Sequence, residues 1–125
     1  MASETDRKTP IYDAHIQAGA RMVSFAGYSM PLQYTGIVDE HRSVRTEAGL
    51  FDVSHMGRIN VAGDQAEAFL QWVSTNDVSR LAVGHAQYSM VCQESGGILD
   101  DVFIYKTGEA AFRVRVNPSN PLKIT

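Results

Sequence analysis

The chain has only one cysteine, Cys92, so no disulfide can form within it. This suits a reducing compartment, and the ordinary use of such a thiol is as a small buried strand residue. No apolar run approaches the roughly 20 residues needed to span a bilayer. Basic residues are not in excess. Against 11 Lys and Arg stand 14 Asp and Glu, a net charge of -3, so neither a nucleic-acid footprint nor a polybasic membrane patch is indicated. The opening Met1–Lys8 stretch lacks the apolar centre of a secretory signal and the Arg-rich, acid-poor character of a transit peptide. Internal repeats, low-complexity tracts and phosphate-binding glycine loops are also missing. The expectation is one cytoplasmic domain of ordinary composition, with no nucleic-acid or membrane partner.

What is present centres on Gly96-Gly97-Ile98-Leu99-Asp100-Asp101-Val102-Phe103-Ile104-Tyr105. Two glycines make a turn, and Ile, Val, Phe and Tyr then favour a strand, whose successive side chains point to opposite faces. Asp100 shares a face with Ile98, Val102 and Ile104, and Asp101 shares the other with Leu99, Phe103 and Tyr105. Each carboxylate therefore has an apolar setting, which is costly unless the group is hydrogen-bonded, paired or open to a wet pocket. The acids diverge, so they are expected to act separately, one serving a cavity and the other a structural contact. A solvated strand start, with both acids bonding loop amides, is the alternative on spacing alone.

Taken in order, residues 1–8 read as a disordered tail. Thr9 and Pro10 begin a short helix carrying Ile11, Ala14, His15 and Ala18, which Gly19 stops. His15 reads as a packed or surface residue rather than a ligand, with no partner at metal-binding spacing. Residues 21–34 read as a short strand followed by an irregular aromatic stretch, because Gly27 and Pro31 interrupt any pattern. Ile37, Val38, His41, Val44 and Ala48 form a helical stripe, with Asp39 and Glu40 at the favourable end of the dipole and the charges on a solvated face. Leu50–Met56 holds Ser, His and Asp but nothing like a nucleophile elbow. A tight polar turn, in which Asp52 or Ser54 bonds local backbone, is the better reading. Arg58–Ala62 alternates as a strand, and Asp64 with Glu67 resembles a capping box before a helix that buries Ala66, Phe69, Leu70 and Val73. The remainder reads as a meander: Ala86–Cys92, the strand with the two acids, then Ala111–Val116 with Phe112, Val114 and Val116 facing away from Arg113 and Arg115. Asn117-Pro118 stops it. The fold class is α+β, with antiparallel strands, a meander and packed helices.

Four blocks now stand in order: Thr9-Pro10-Ile11-Tyr12, Phe25-Ala26-Gly27-Tyr28-Ser29-Met30-Pro31, Phe51-Asp52-Val53-Ser54-His55-Met56 and Gly96-Gly97-Ile98-Leu99-Asp100-Asp101. Their spacing resembles the aminomethyltransferase family, the T-protein of the glycine cleavage system. The likeness runs from about Thr9 to Asn117, with Tyr28 where that family usually has Trp. It implies a transferase that moves a one-carbon unit from the aminomethyl-lipoyl arm of H-protein to tetrahydrofolate, releasing ammonia and needing no metal. By resemblance, Asp100 is the catalytic acid beside the reactive end of the folate, Met56, Tyr88 and Asn117 are further folate-binding positions, and Asp101 is mainly structural. Such proteins are longer and have three domains around a folate cavity. Residues 9–117 are thus expected to be the amino-terminal part of a folate-binding domain, weak or inactive alone, with 118–125 an atypical tail at a truncation. Two other readings remain: the folate domain of a sarcosine- or dimethylglycine-oxidising enzyme, and a non-catalytic folate-binding module.

Overall fold

Turn signals rather than long apolar runs divide this chain, and its helices are correspondingly short. The computed structural model describes residues 5–118. They divide between His55 and Met56 into two compact units. The first holds strand β1 (Arg7–Lys8), helix α1 (Tyr12–Gln17), strands β2 (Arg21–Phe25) and β3 (Tyr28–Gln33), and helix α2 (Ile37–Thr46). The second holds strand β4 (Gly57–Ala62), helix α3 (Ala66–Val73), a 3-10 turn (Val78–Arg80), and strands β5 (Ala86–Cys92), β6 (Ile98–Gly108) and β7 (Ala111–Val116). Both are mixed α+β, as the sequence pattern predicts. No helix among the described residues is long and apolar enough to cross a membrane.

In the first unit β2 and β3 form an antiparallel hairpin, and β1 lies parallel to the start of β3. Ala26 and Gly27 make the hairpin turn, both with positive φ, 49° and 77°. That backbone matches the right-handed twist of the flanking strands. Two expectations are corrected here. Arg7 and Lys8 are not part of a loose tail: they pair with Tyr28 and Ser29, and the Arg7 guanidinium sits 4.2 Å above the Tyr28 ring. The stretch after Gly27 is a strand rather than irregular. Pro31 is tolerated because β1 reaches only Tyr28 and Ser29, so most of that edge needs no N–H donor. Residues 1–4 and 119–125 lie outside the described residues, and with them most of the expected tail at 118–125.

Helix α1 starts later than Thr9 suggests, and the Thr9 carbonyl, not its side chain, accepts the Tyr12 N–H at 3.1 Å. Gly19, at φ 77°, closes it as expected. On α2 the stripe of Ile37, Val38 and Val44 is exposed rather than buried. Glu40 is not a bystander on a solvated face. One of its oxygens accepts the N–H groups of Tyr34, Thr35 and Gly36 at 2.7, 2.8 and 3.0 Å, which pulls its carboxyl below the ordinary range.

The second unit is a four-stranded antiparallel sheet in the order β4-β7-β6-β5. One face carries Val102, Ile104, Phe112, Val114 and Val116, all nearly inaccessible, packed with Ala66 and Leu70 of α3 and with Val78 and Leu81. Phe69 is exposed, not buried with them. The capping box is also corrected. Gln65 takes the cap position with no side-chain bond, the Gly63 carbonyl accepts the Ala66 N–H at 2.9 Å, and Glu67 instead meets Lys106 Nζ at 2.9 Å. A cation is a stronger partner for a carboxylate than a frayed helix end.

Candidate functional site

Strand alternation puts the core on one face of the second sheet and leaves the other open. Register then fixes which residues meet there. Arg58 pairs with Arg115, Arg115 with Phe103, and Phe103 with Tyr88, one row across all four strands. The next row joins Asn60, Arg113, Tyr105 and Ala86. On the other side, Asp101 pairs with Met90. Met56 and Asn117 extend β4 and β7 by one residue at this same end, since Gly57 pairs with Val116. Three of the residues assigned to folate by resemblance, Met56, Tyr88 and Asn117, therefore converge on one open face, together with Asp101.

Asp100 is placed differently. It lies on the core face with Val102 and is only 4% exposed. Its two carboxylate oxygens accept the Asn117 backbone N–H at 2.9 Å and the Asn117 side-chain amide at 2.8 Å. Burial is thus compensated in the way an ionised group in an apolar setting requires. The expectation of an Asp100 facing an open cavity does not match this packing. Asp101 is the exposed acid. Its oxygens accept the Asn117 amide at 2.8 Å and the Tyr88 hydroxyl at 3.1 Å. The acids point to opposite faces, as alternation predicts, and the Asn117 side-chain amide links them by bonding both. Sequence spacing gives no signal for that bridge, since it links residues 16 and 17 positions apart through a side-chain amide.

The Asp101 hydrogen bond to the Tyr88 hydroxyl, reinforced by some desolvation and by the charges of both acids, raises the pKa of Tyr88. Around this polar corner the open face is aromatic. Tyr88 and Phe103 pack edge-on with ring centres 5.4 Å apart, and Phe103 and Tyr105 are 6.3 Å apart. Tyr88 is 45% and Phe103 44% exposed, so the rings present a flat apolar area to solvent. Such a surface can stack a planar ring while Asp101 accepts hydrogen bonds from ring N–H groups or offsets positive charge. Among the described residues no group of three His, Cys, Asp or Glu is placed to hold a metal.

The first unit has a polar cluster of its own. His15 is buried, with Nε2 2.9 Å from an Asp52 oxygen and Nδ1 2.8 Å from the Tyr34 hydroxyl. The second Asp52 oxygen accepts the Ser54 N–H at 2.9 Å, which is the local turn predicted for this segment. Burial pushes the Asp52 carboxyl up, but the bonds from His15 and Ser54 outweigh it and hold the group well below the usual range. Burial, then the charges of Glu40 and Asp52, raises the Tyr34 hydroxyl. His15 is packed, as read, but not without a partner. Asp52 is 37 positions away, so no local spacing could reveal the pair.

Residues 11–124 match the profile of the GCVT N-terminal domain. The chain is 55% identical over 117 residues to an aminomethyltransferase of Thermus thermophilus, covering 94% of this chain and 34% of that protein. It is 49% identical over 121 residues to an aminomethyltransferase of Symbiobacterium thermophilum, covering 97% of this chain and 32% of that one. The crystal structure of glycine cleavage system aminomethyltransferase T from Bartonella henselae superposes with a TM-score of 0.88 at 39% identity, over 94% of this chain and 33% of that one. The chain spans about a third of the length of these relatives.

Proposed function

Because the chain belongs to the GCVT N-terminal domain family, we propose that it forms the amino-terminal, folate-facing part of an aminomethyltransferase acting in the cytoplasm. The whole protein would transfer the one-carbon unit from the aminomethyl-lipoyl arm of H-protein to tetrahydrofolate, with ammonia released. The observation that carries this reading is the corner where Asn117 ties Asp100 to Asp101 beside the Tyr88 hydroxyl.

The residues fit a reduced pterin. Its flat ring has N–H donors, and the open face offers a cluster of aromatic rings packed edge-on and tilted, with an exposed carboxylate beside them. In this reading Asp101 touches the ligand: it accepts a ring N–H and offsets positive charge as carbon–nitrogen bonds rearrange. Tyr88 aims that carboxylate through its hydroxyl. Asp100, the acid favoured on resemblance, acts one step back by fixing Asn117, which in turn holds Asp101. Met56, one residue before the strand pair at Gly57 and Val116, supplies an adaptable apolar edge.

Calorimetric titration of the chain with tetrahydrofolate tests the reading. Saturable one-to-one binding is expected, weakened at least tenfold by Asp101→Asn. Absence of binding by the parent chain, or equal binding by that variant, would overturn it.

A further inference from the structure

The aromatic corner leaves part of the open face unexplained. Arg58 and Arg115 stand directly opposite one another on β4 and β7, and Arg113 lies on the next row beside Asn60. Directly opposed like charges destabilise a sheet. This pair has no compensating acid: the ion pairs among the described residues are His15–Asp52, Arg42–Asp39 and Lys106–Glu67. Arg113 Nε donates to the Asn60 side chain at 3.1 Å, which orients its guanidinium and leaves its other N–H groups for a ligand. In a chain of net charge -3, three arginines gathered on one sheet face are not explained by overall balance.

Their position relative to the aromatic corner gives the charge a use. Arg115 pairs across with Phe103, which is exposed, and Arg113 with the half-buried Tyr105, so each guanidinium stem starts beside an aromatic ring. Same-face neighbours along a strand are about 6.7 Å apart and adjacent strands about 4.8 Å. From Asp101 to the Arg113 row is therefore on the order of 14 Å along one open surface, before side-chain reach is added. A compact ring cannot cover both ends, but an elongated one with an acidic tail can. Across the strands the face reads as aromatic rings on β5 and β6, then guanidinium groups on β7 and β4, with the Asp101 carboxylate one row along from the rings. The planar guanidinium forks match a carboxylate two bonds at a time.

We infer that Arg58, Arg113 and Arg115 form a carboxylate-binding subsite, taking the acidic end of an elongated ligand whose ring lies at Asp101 and Tyr88. The ring end rests on the function proposed above, whereas the anion subsite rests on the arginine pairing alone. A small dicarboxylate is favoured over an acidic protein surface because the arginines occupy two adjacent rows, Arg58 and Arg115 in line with the exposed Phe103 and Tyr88 rings and Arg113 on the next, rather than lying dispersed over the unit.

The test is an NMR titration of the chain, following the arginine Nε–H signals, with three probes: tetrahydrofolate, a tetrahydropterin without carboxylates, and glutarate. Tetrahydrofolate is expected to shift the signals of all three arginines saturably, and the tetrahydropterin to leave them unmoved. Arg115→Gln and Arg58→Gln should each weaken tetrahydrofolate at least fivefold while changing tetrahydropterin binding less than twofold. Both substitutions relieve a like-charge pair, so folding is retained, and a thermal melt checks it. If tetrahydrofolate fails to bind but glutarate shifts the arginines in the parent and not in Arg115→Gln, the subsite stands and the folate reading falls. Tetrahydrofolate binding that is unchanged in both variants overturns the subsite and spares the folate reading. Arginine signals that respond to neither small anion, or only to an acidic protein, also overturn it.

Discussion

Replacing Asp100 by asparagine separates the two neighbouring acids by what each one holds. The Asp100 carboxylate accepts two N–H groups of Asn117, at 2.9 and 2.8 Å, and the residue is 4% exposed. An asparagine offers one acceptor oxygen in place of two, and its own NH2 faces the second donor. One charge-assisted hydrogen bond is lost and two NH2 groups are brought face to face in a sealed site, for about 2–4 kcal/mol in total, although the Asn117 amide keeps its bonds to Asp101. In a cooperative unit of this size each kcal/mol moves the melting point by about 4–8 °C, so Asp100→Asn is expected to melt about 8–32 °C lower. Asp101→Asn keeps an oxygen for the Asn117 amide and lies on the exposed face, so its stability should stay within about 0.5 kcal/mol of the parent. Circular-dichroism melts at neutral pH read both. The reasoning fails if Asp100→Asn melts with the parent, or if Asp101→Asn is the less stable of the two.

Asp52 should make the first unit acid-sensitive. Its folded pKa is depressed, so its contribution is complete above about pH 4 and lost as the pH falls further through the folded value. Urea midpoints measured from pH 5 downward should fall, and Asp52→Asn should flatten that slope. For Tyr88, whose hydroxyl bond to Asp101 raises its pKa, ultraviolet titration should show ionisation above the ordinary tyrosine value in the parent. Asp101→Asn should bring it back down, and an unchanged titration would refute the bond. Gly57→Ala would put a methyl group 2.5 Å from Val116 Cγ2, a buried side chain, and should cost about 1–3 kcal/mol in a denaturant titration.

Much of the second sheet is legible in the sequence because its information is local. Gly96, at φ 85°, sits in the tight turn between β5 and β6, and the alternation of Phe112, Val114 and Val116 with Arg113 and Arg115 gives the two faces directly. Where partners are distant, spacing is silent. Strand β1 is two charged residues whose conformation exists only because β3 is beside it. His15 and Asp52 look like an isolated imidazole and a turn acid until the fold brings them to 2.9 Å. Helix α2 carries a good apolar stripe, but a stripe does not say what covers it, and this one is exposed. At the candidate site, alternation separates Asp100 from Asp101 correctly. It does not say which of the two is sealed, because that depends on where the end of β7 delivers Asn117.

The pairing of β4 with β7 sets an order of events during synthesis. Residues 57–62 leave the ribosome about fifty positions before 111–116, the one strand they pair with among the described residues. At cellular elongation rates that gap lasts roughly 2–10 s, far longer than a hairpin takes to close. The β5–β6 hairpin and α3 can form in the interval, while Ile59 and Val61 wait with no ladder beside them. When β7 arrives it inserts between β6 and β4 and joins them in one step. Nascent chains halted before residue 111 should therefore be chaperone-bound through the β4 segment, and chains extended past 116 released.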